Sequence, residues 1–269
     1  MMKAFVLAVL AILLTTTGIE ASADAHARGA IQAAVDGDHR ASESRERDKY
    51  RHPVETLTFF GLEPDMTVVE LWPGGGWYTE ILAPVLKDEG TLYAASWDPE
   101  LDSEYVQTNL AKYLKKIADT GVYGDVNVTI LGKGKTNIAP PGSADLVLTF
   151  RNLHNWRGSG FVDDVFAAAY EALKPGGVFG VVEHRADPAS PPGPDDRSGY
   201  FSEALAIELA EDAGFELVAK SDINNNPKDT KDYEKGVWTL PPSLRDGPDP
   251  KYVEIGESDR FTLKFRKPE

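Results

Sequence analysis

Apolar positions along the 269-residue chain follow two alternating rhythms. Short, nearly unbroken apolar runs occur at Val68-Val69-Glu70-Leu71 and at 91–96, 126–131, 144–150, 178–183 and 215–220. Runs of this length, flanked by Gly, Pro and Asp, predict strands. Between them apolar residues recur at helical spacing. Tyr78, Ile81, Leu82, Val85 and Leu86 share one face of a helix, and further helices are expected over 101–118, 161–173 and 200–213. Strands alternating with helices predict an α/β domain with a mostly parallel sheet and right-handed crossovers. Residues 224–259 are polar and punctuated by Pro and Gly. They predict a long excursion that returns to an alternating strand from Arg260 onward.

Two flanking segments have different patterns. Lys3, the apolar run Ala4–Leu14 and the small residues Ala21-Ser22-Ala23 have the order of a secretory signal peptide. The expected organisation is therefore a signal peptide at 1–23 and one domain at 24–269, with a helical arm at 24–62. Within the arm, Arg40 to Lys49 alternates charges densely and reads as a solvated, ion-paired helix face. Tyr50, Arg51 and His52 follow, either near a ligand site or in a structural turn.

The stretch richest in chemistry joins the first strand to its helix, in Glu70-Leu-Trp-Pro-Gly-Gly-Gly-Trp-Tyr-Thr. Strand, glycine turn and helix together aim backbone N–H groups at a ligand, and a side chain at the turn would block its approach. The dinucleotide pattern G-x-G-x-x-G fails because Thr79 stands where its third glycine would fall after Gly74 and Gly76. The stretch instead resembles the first motif of class I S-adenosylmethionine-dependent methyltransferases, an acidic residue followed by spaced glycines. Glu70 takes the acidic place, Gly74 and Gly76 two glycine places, and Trp72 replaces the first glycine.

Two further stretches extend that resemblance. Asp145-Leu-Val-Leu-Thr-Phe-Arg-Asn-Leu-His-Asn-Trp is similar to the family's signature at the end of the fourth strand, beside the transferring methyl group. Leu173-Lys-Pro-Gly-Gly is similar to its turn into the fifth strand. The resemblance implies a Rossmann-like, seven-stranded sheet with one antiparallel strand and helices on both faces. It also implies S-adenosylmethionine as cofactor, near Glu70, Trp72, Gly74, Gly75, Gly76, Asp98, Arg151 and Asn152. His154 would be the general base or a pocket wall, and Trp156 would line the acceptor pocket. Glu183, His184 and Arg185 stand at the C-terminal end of the fifth strand, where ligands bind in open α/β sheets, and read either as acceptor-pocket residues or as a surface ion cluster. Trp72, Trp77, Trp97 and Trp156 lie at strand ends, where they would enclose a sulfonium or plug a lost pocket. Ser96 and Lys133 depart from the family's ribose and adenine contacts, as Trp72 departs from its glycine.

Composition narrows the partners. With 28 basic and 43 acidic residues the net charge is −15, which opposes nucleic acid and anionic membrane surfaces. The chain has no cysteine, hence neither disulfides nor thiolate ligands, and its five histidines show no metal-binding spacing. The expectation is a periplasmic or secreted methyltransferase for a small molecule with a hydroxyl or amine, without a membrane anchor once the signal is cleaved. The alternative is an inactive exported protein that binds a small ligand on the same fold. Export predicts that protein from the cell envelope begins near Asp24. Amino-terminal sequencing checks this, and an intact Met1 on cytoplasmic protein would contradict it.

Overall fold

The computed structural model describes residues 25–193 and 196–269. The expected signal segment, together with Asp195 in the proline-rich loop, lies outside these residues. The arm comprises α1 (25–36), α2 (Ser42–Arg45), α3 (Asp48–Arg51) and α4 (Pro53–Phe60). There follow β1 (Thr67–Leu71), α5 (Thr79–Leu86), β2 (Thr91–Ser96), α6 (Glu104–Ile117), α7 (Thr120–Tyr123) and β3 (Val126–Ile130). The second half runs β4 (Ala144–Phe150), α8 (Leu153–Gly158), α9 (Val162–Ala172), β5 (Leu173–His184), α10 (Glu203–Asp212) and β6 (Glu216–Ser221). The excursion then carries a short 3₁₀ turn (Gly236–Thr239) and α11 (Pro250–Ile255) before β7 (Arg260–Arg266).

One seven-stranded sheet has the order β3-β2-β1-β4-β5-β7-β6. All pairs are parallel except those of β7, which runs antiparallel to both β5 and β6. The chain winds outward from β1 to β3, then returns to place β4 on the other side of β1. That reversal opens a crevice above the C-terminal ends of β1 and β4, where ligands bind in open α/β sheets.

Alternation along the strands divides the core. Val69 and Leu71 of β1 face α8, α9 and α10, whereas Val68 faces the arm and α5. The arm lies directly on the sheet: a Cβ added to Gly180 in β5 would come within 2.8 Å of the Phe60 ring. A glycine in mid-strand thus marks the close approach of α4.

Two local expectations are corrected. Lys174–Gly177, expected only as a helix stop before a strand at Val178, interrupts a longer β5. Ala144 pairs with Leu173, but Leu146 pairs with Val178, so the intervening residues bulge from the ladder. The charge-dense arm is also not simply a solvated face. Arg40 is buried and bonds Asp48 through both terminal nitrogens at 2.8 and 2.7 Å, and Arg51 is buried as well.

Candidate functional site

A cavity of about 720 Å³ opens over the β1–β4 crevice. Its floor is the glycine loop. Gly74 and Gly75 line it, and a Cβ on either would meet nothing within 4 Å, so the loop offers bare backbone to open space. Gly74 also has φ +60°, a conformation that favours glycine. Gly76 does not line the cavity. Its backbone, at φ +80°, packs against α6, where an added Cβ would lie 3.0 Å from the Tyr113 ring.

Three contacts fix the loop from outside. Lys116 of α6 donates to the Gly75 carbonyl at 2.6 Å while pairing with Glu80 at 2.6 Å. Asn152, just past β4, donates to the carbonyls of Leu71 and Trp72 at 3.1 and 3.3 Å. Trp77 donates through Nε1 to the Ser44 carbonyl at 3.0 Å, and the Arg51 guanidinium lies 4.6 Å from its ring. The arm is thereby clamped onto the loop.

Glu70 lies beneath the loop rather than in the cavity. It is buried and accepts a 2.5 Å hydrogen bond from Thr79 Oγ1. Burial raises its carboxyl from 4.5 to about 7, despite the opposing Thr79 hydrogen bond and the charges of Lys116 and Arg151. Its role is to support the loop.

Trp72 has φ 46° and Arg151 φ 64°, so two non-glycine residues hold left-handed backbone at the ends of adjacent strands. Trp72 spans from β1 to the end of β3, where its Nε1 donates to the Leu131 carbonyl at 2.9 Å. Its ring meets Trp156 at 5.6 Å and Trp97 at 6.1 Å. Trp72, Trp97, Tyr105 and Leu101 form an aromatic and apolar side of the cavity, and Phe150, Trp77 and Trp238 close other walls.

Several expected site residues lie elsewhere. Asp98 does not line the cavity. It pairs with Lys135 at 2.8 Å and accepts from the Glu100 N–H at 3.0 Å, within a turn. Trp156 is fully buried in the core. Glu183 is also fully buried, and its carboxylate accepts backbone N–H bonds from Leu153 at 2.6 Å and His184 at 2.7 Å, which places it at the start of α8. Arg185 pairs with Glu203 and, at 3.3 Å, with Asp259, away from the cavity.

His154 is the most consequential correction. Its ring does not line the cavity. It sits behind His184 and Trp238, at 5.5 and 5.6 Å between ring centroids, with Nδ1 3.2 Å from Glu183 and both ring nitrogens buried without hydrogen-bond partners. The histidine that does line the cavity is His184, whose Nδ1 lies 2.5 Å from Ser258 Oγ. Burial, then the charges of His154, Arg151, Arg260 and Arg51, hold the His184 imidazolium well below its ordinary range, so the ring is neutral near pH 7.

His154, Glu183 and His184 do form a cluster that spacing along the sequence did not reveal, with ligand atoms within 4.8 Å of one another. The carboxylate is already committed to backbone N–H groups, and the same arginines that depress His184 oppose a further cation there.

Sequence reasoning put Arg47 in a solvated run, left Arg51 undecided and missed the cavity positions of Lys116 and Arg245, whereas the excursion that holds Trp238 was a candidate cover for the pocket. The excursion reaches the cavity through Trp238 and Arg245, with the Arg245 guanidinium 4.7 Å from the Trp238 ring. The proline-rich loop after Ala186 lines a neighbouring cleft that shares Trp238 and Arg245 with the cavity.

The sequence matches no protein-family model and no curated protein. Solved structures do resemble it. A SAM-dependent methyltransferase from Aquifex aeolicus is 17% identical with a TM-score of 0.53, over 86% of this chain and 99% of that one. The [4+2]-cyclase SpnF is 16% identical with a TM-score of 0.60, over 87% of this chain and 86% of its own. CrArsM, an arsenic(III) S-adenosylmethionine methyltransferase from Chlamydomonas reinhardtii, is 16% identical with a TM-score of 0.50, over 89% and 73%. The fold is the class I methyltransferase fold. No helix among the described residues is long and apolar enough to cross a membrane.

The buried Glu70 gives a pH prediction. With its carboxyl at about 7 in the native state, the folded protein keeps a proton that the unfolded chain has already released above 4.5. Stability from this group is therefore present below the unfolded value and is lost as pH rises through about 7. Glu70→Gln cannot ionise but still accepts from Thr79. Its unfolding free energy relative to wild type should increase by about 3 kcal/mol between about pH 5 and about pH 8. Urea titrations across that range check it, and a pH-independent difference would show that Glu70 ionises normally.

Proposed function

We propose that the protein transfers a methyl group from S-adenosylmethionine to a small-molecule acceptor, and that it does so outside the cytoplasm. The observation that carries this is the glycine loop: bare backbone at Gly74 and Gly75, at the floor of a ligand-sized cavity, in the crevice between β1 and β4. Export rests on the amino-terminal pattern alone and is tested by the amino-terminus measurement given with it.

The residues present fit the cofactor in an altered way. The loop leaves room for a group lying on its backbone, and Trp97, Tyr105 and Leu101 offer an apolar wall on which a purine could pack. A ribose carboxylate is missing at the cavity, since Asp98 is held in its turn by Lys135. The indole of Trp72 takes the Leu131 carbonyl at the end of β3, so a purine would lie against this ring rather than replace it. Gly74, Gly75, Trp72 and Trp97 would hold the cofactor, which when bound supplies an activated methyl group on sulfur.

The chain's own contribution is alignment and proton handling. Asn152 and Lys116 fix the loop, so that a bound methyl donor and acceptor meet in a set geometry. Trp77, Phe150 and Trp238 narrow the access of water. His184 replaces His154 as the candidate base. Its Nδ1 is oriented by Ser258, and Nε2 has no hydrogen-bond partner among the described residues. With Nδ1–H donated to Ser258, the neutral ring would present the Nε2 lone pair to an acceptor hydroxyl or amine, and burial with the surrounding charges makes it a weaker base than a free imidazole.

A second reading is favoured by Trp72 and Asp98 together: a protein that binds a small ligand on this fold without methyl transfer. The [4+2]-cyclase among the similar structures illustrates that fold and chemistry separate. Calorimetry with S-adenosylhomocysteine decides between the two. Methyl transfer predicts saturable binding that Gly74→Val abolishes in a folded protein, because a branched side chain fills the space above the loop and the backbone there has φ +60°. Absence of binding to the wild-type protein, or unchanged affinity in folded Gly74→Val, would overturn it.

A further inference from the structure

The wall of the cavity is strongly basic. Arg47, Arg51, Lys116, Arg151 and Arg245 line the cavity, and among the described residues no carboxylate does, in a chain of net charge −15. Lys116 is neutralised by Glu80, and Arg47 donates to Glu257 at 2.6 Å. Glu257, however, must also serve Arg51 at 3.1 Å and Arg260 at 3.3 Å, so one carboxylate stands against three guanidinium groups.

Arg151 adds a fourth. Among the described residues it has no ion pair, and its Nη1 is buried without a hydrogen-bond partner. Arg51 is only 3% exposed, and its Nη1 is likewise buried and unpartnered. Burial, then the neighbouring Arg51 and Arg260, push the Arg151 guanidinium well below its ordinary value. A buried cation persists at such cost when something compensates it, and no side chain in the cavity does. The guanidinium fork matches a carboxylate or phosphate through paired N–H bonds.

We propose that the cavity binds an oxyanion, the carboxylate or phosphate group of its small-molecule ligand, between Arg51 and Arg151. This rests on the cavity being the substrate site and gives the acceptor its chemical class. It does not depend on methyl transfer. An anionic acceptor would also balance the positive sulfonium of the methyl donor, for which the cavity has no carboxylate of its own. The surrounding Trp238, Phe150 and Trp77 suit an apolar body attached to the anion.

Thermal unfolding of the purified protein tests it, with phenyl phosphate or benzoate replacing chloride at constant ionic strength. Either probe should raise Tm by a few degrees at saturation, because a ligand of the native state stabilises it. A rise with phenyl phosphate alone identifies a phosphate ligand, and a rise with benzoate alone a carboxylate. Arg151→Met should melt at or above the wild type in buffer, since an uncompensated cation is removed, and should lose the probe-induced rise. Arg151→Lys, which keeps charge without the fork, should bind the probe roughly tenfold more weakly. The proposal is overturned if neither probe outperforms chloride, if Arg151→Met keeps the rise, or if Arg151→Met melts well below the wild type. Because S-adenosylhomocysteine carries a carboxylate of its own, the probe titration is repeated with it at saturation: a persisting rise assigns the arginines to the acceptor, whereas a rise that disappears gives them to the cofactor and overturns the proposal. Probe binding in a protein that does not bind S-adenosylhomocysteine removes methyl transfer and leaves the oxyanion site.

Discussion

Glu257 fastens together three parts of the chain beside the cavity. From the end of the excursion it accepts from Arg47 and Arg51 of the arm, and it lies beside Arg260 at the start of β7. Burial alone would raise this carboxyl, yet the charges of Arg51, Arg260 and Arg47 pull it well below the usual carboxylate range. Arg260 in turn donates to the Tyr50 carbonyl at 3.0 Å, which ties β7 back to the arm. This knot holds Arg51 in its place against Trp77 and the glycine loop.

The same knot leaves the cavity positive. The exterior of the protein is strongly acidic, while the cavity collects guanidinium groups around a single shared carboxylate. Such a contrast favours anions inside the cleft and keeps a neutral imidazole at His184. Left-handed backbone at Trp72 and Arg151 places an indole and an unpaired guanidinium at the two strand ends that frame the crevice.

The sheet was legible because strand and helix rhythms depend on local burial. β2 and β4 have the expected bounds of 91–96 and 144–150, and β1 begins one residue earlier than the apolar run. The glycine loop was legible too, since a turn that must admit a ligand leaves its mark in composition. The rest of the site depends on contacts remote in sequence. Arg51 and Glu257 are 206 positions apart, and nothing in a charge-dense arm distinguishes a buried guanidinium from a solvated one. His154 was favoured by the motif around it, but the turn into α8 rotates it behind His184, and Glu183 is consumed at the start of that helix. The excursion was a candidate cover for the pocket, but its sequence carries no period from which the places of Trp238 and Arg245 on the cavity wall could be read.

The central claim is that the crevice between β1 and β4 holds an adenosyl cofactor over the glycine loop, with its base against indoles. A crystal structure of the protein with S-adenosylhomocysteine tests it most directly. The account predicts the sulfur over Gly74 and Gly75 and the purine against the Trp72 and Trp97 indoles, with Trp72 still bonded to the Leu131 carbonyl. A ligand in the cleft beside Ala186–Tyr200, or a purine that displaces the Trp72 indole, would contradict it.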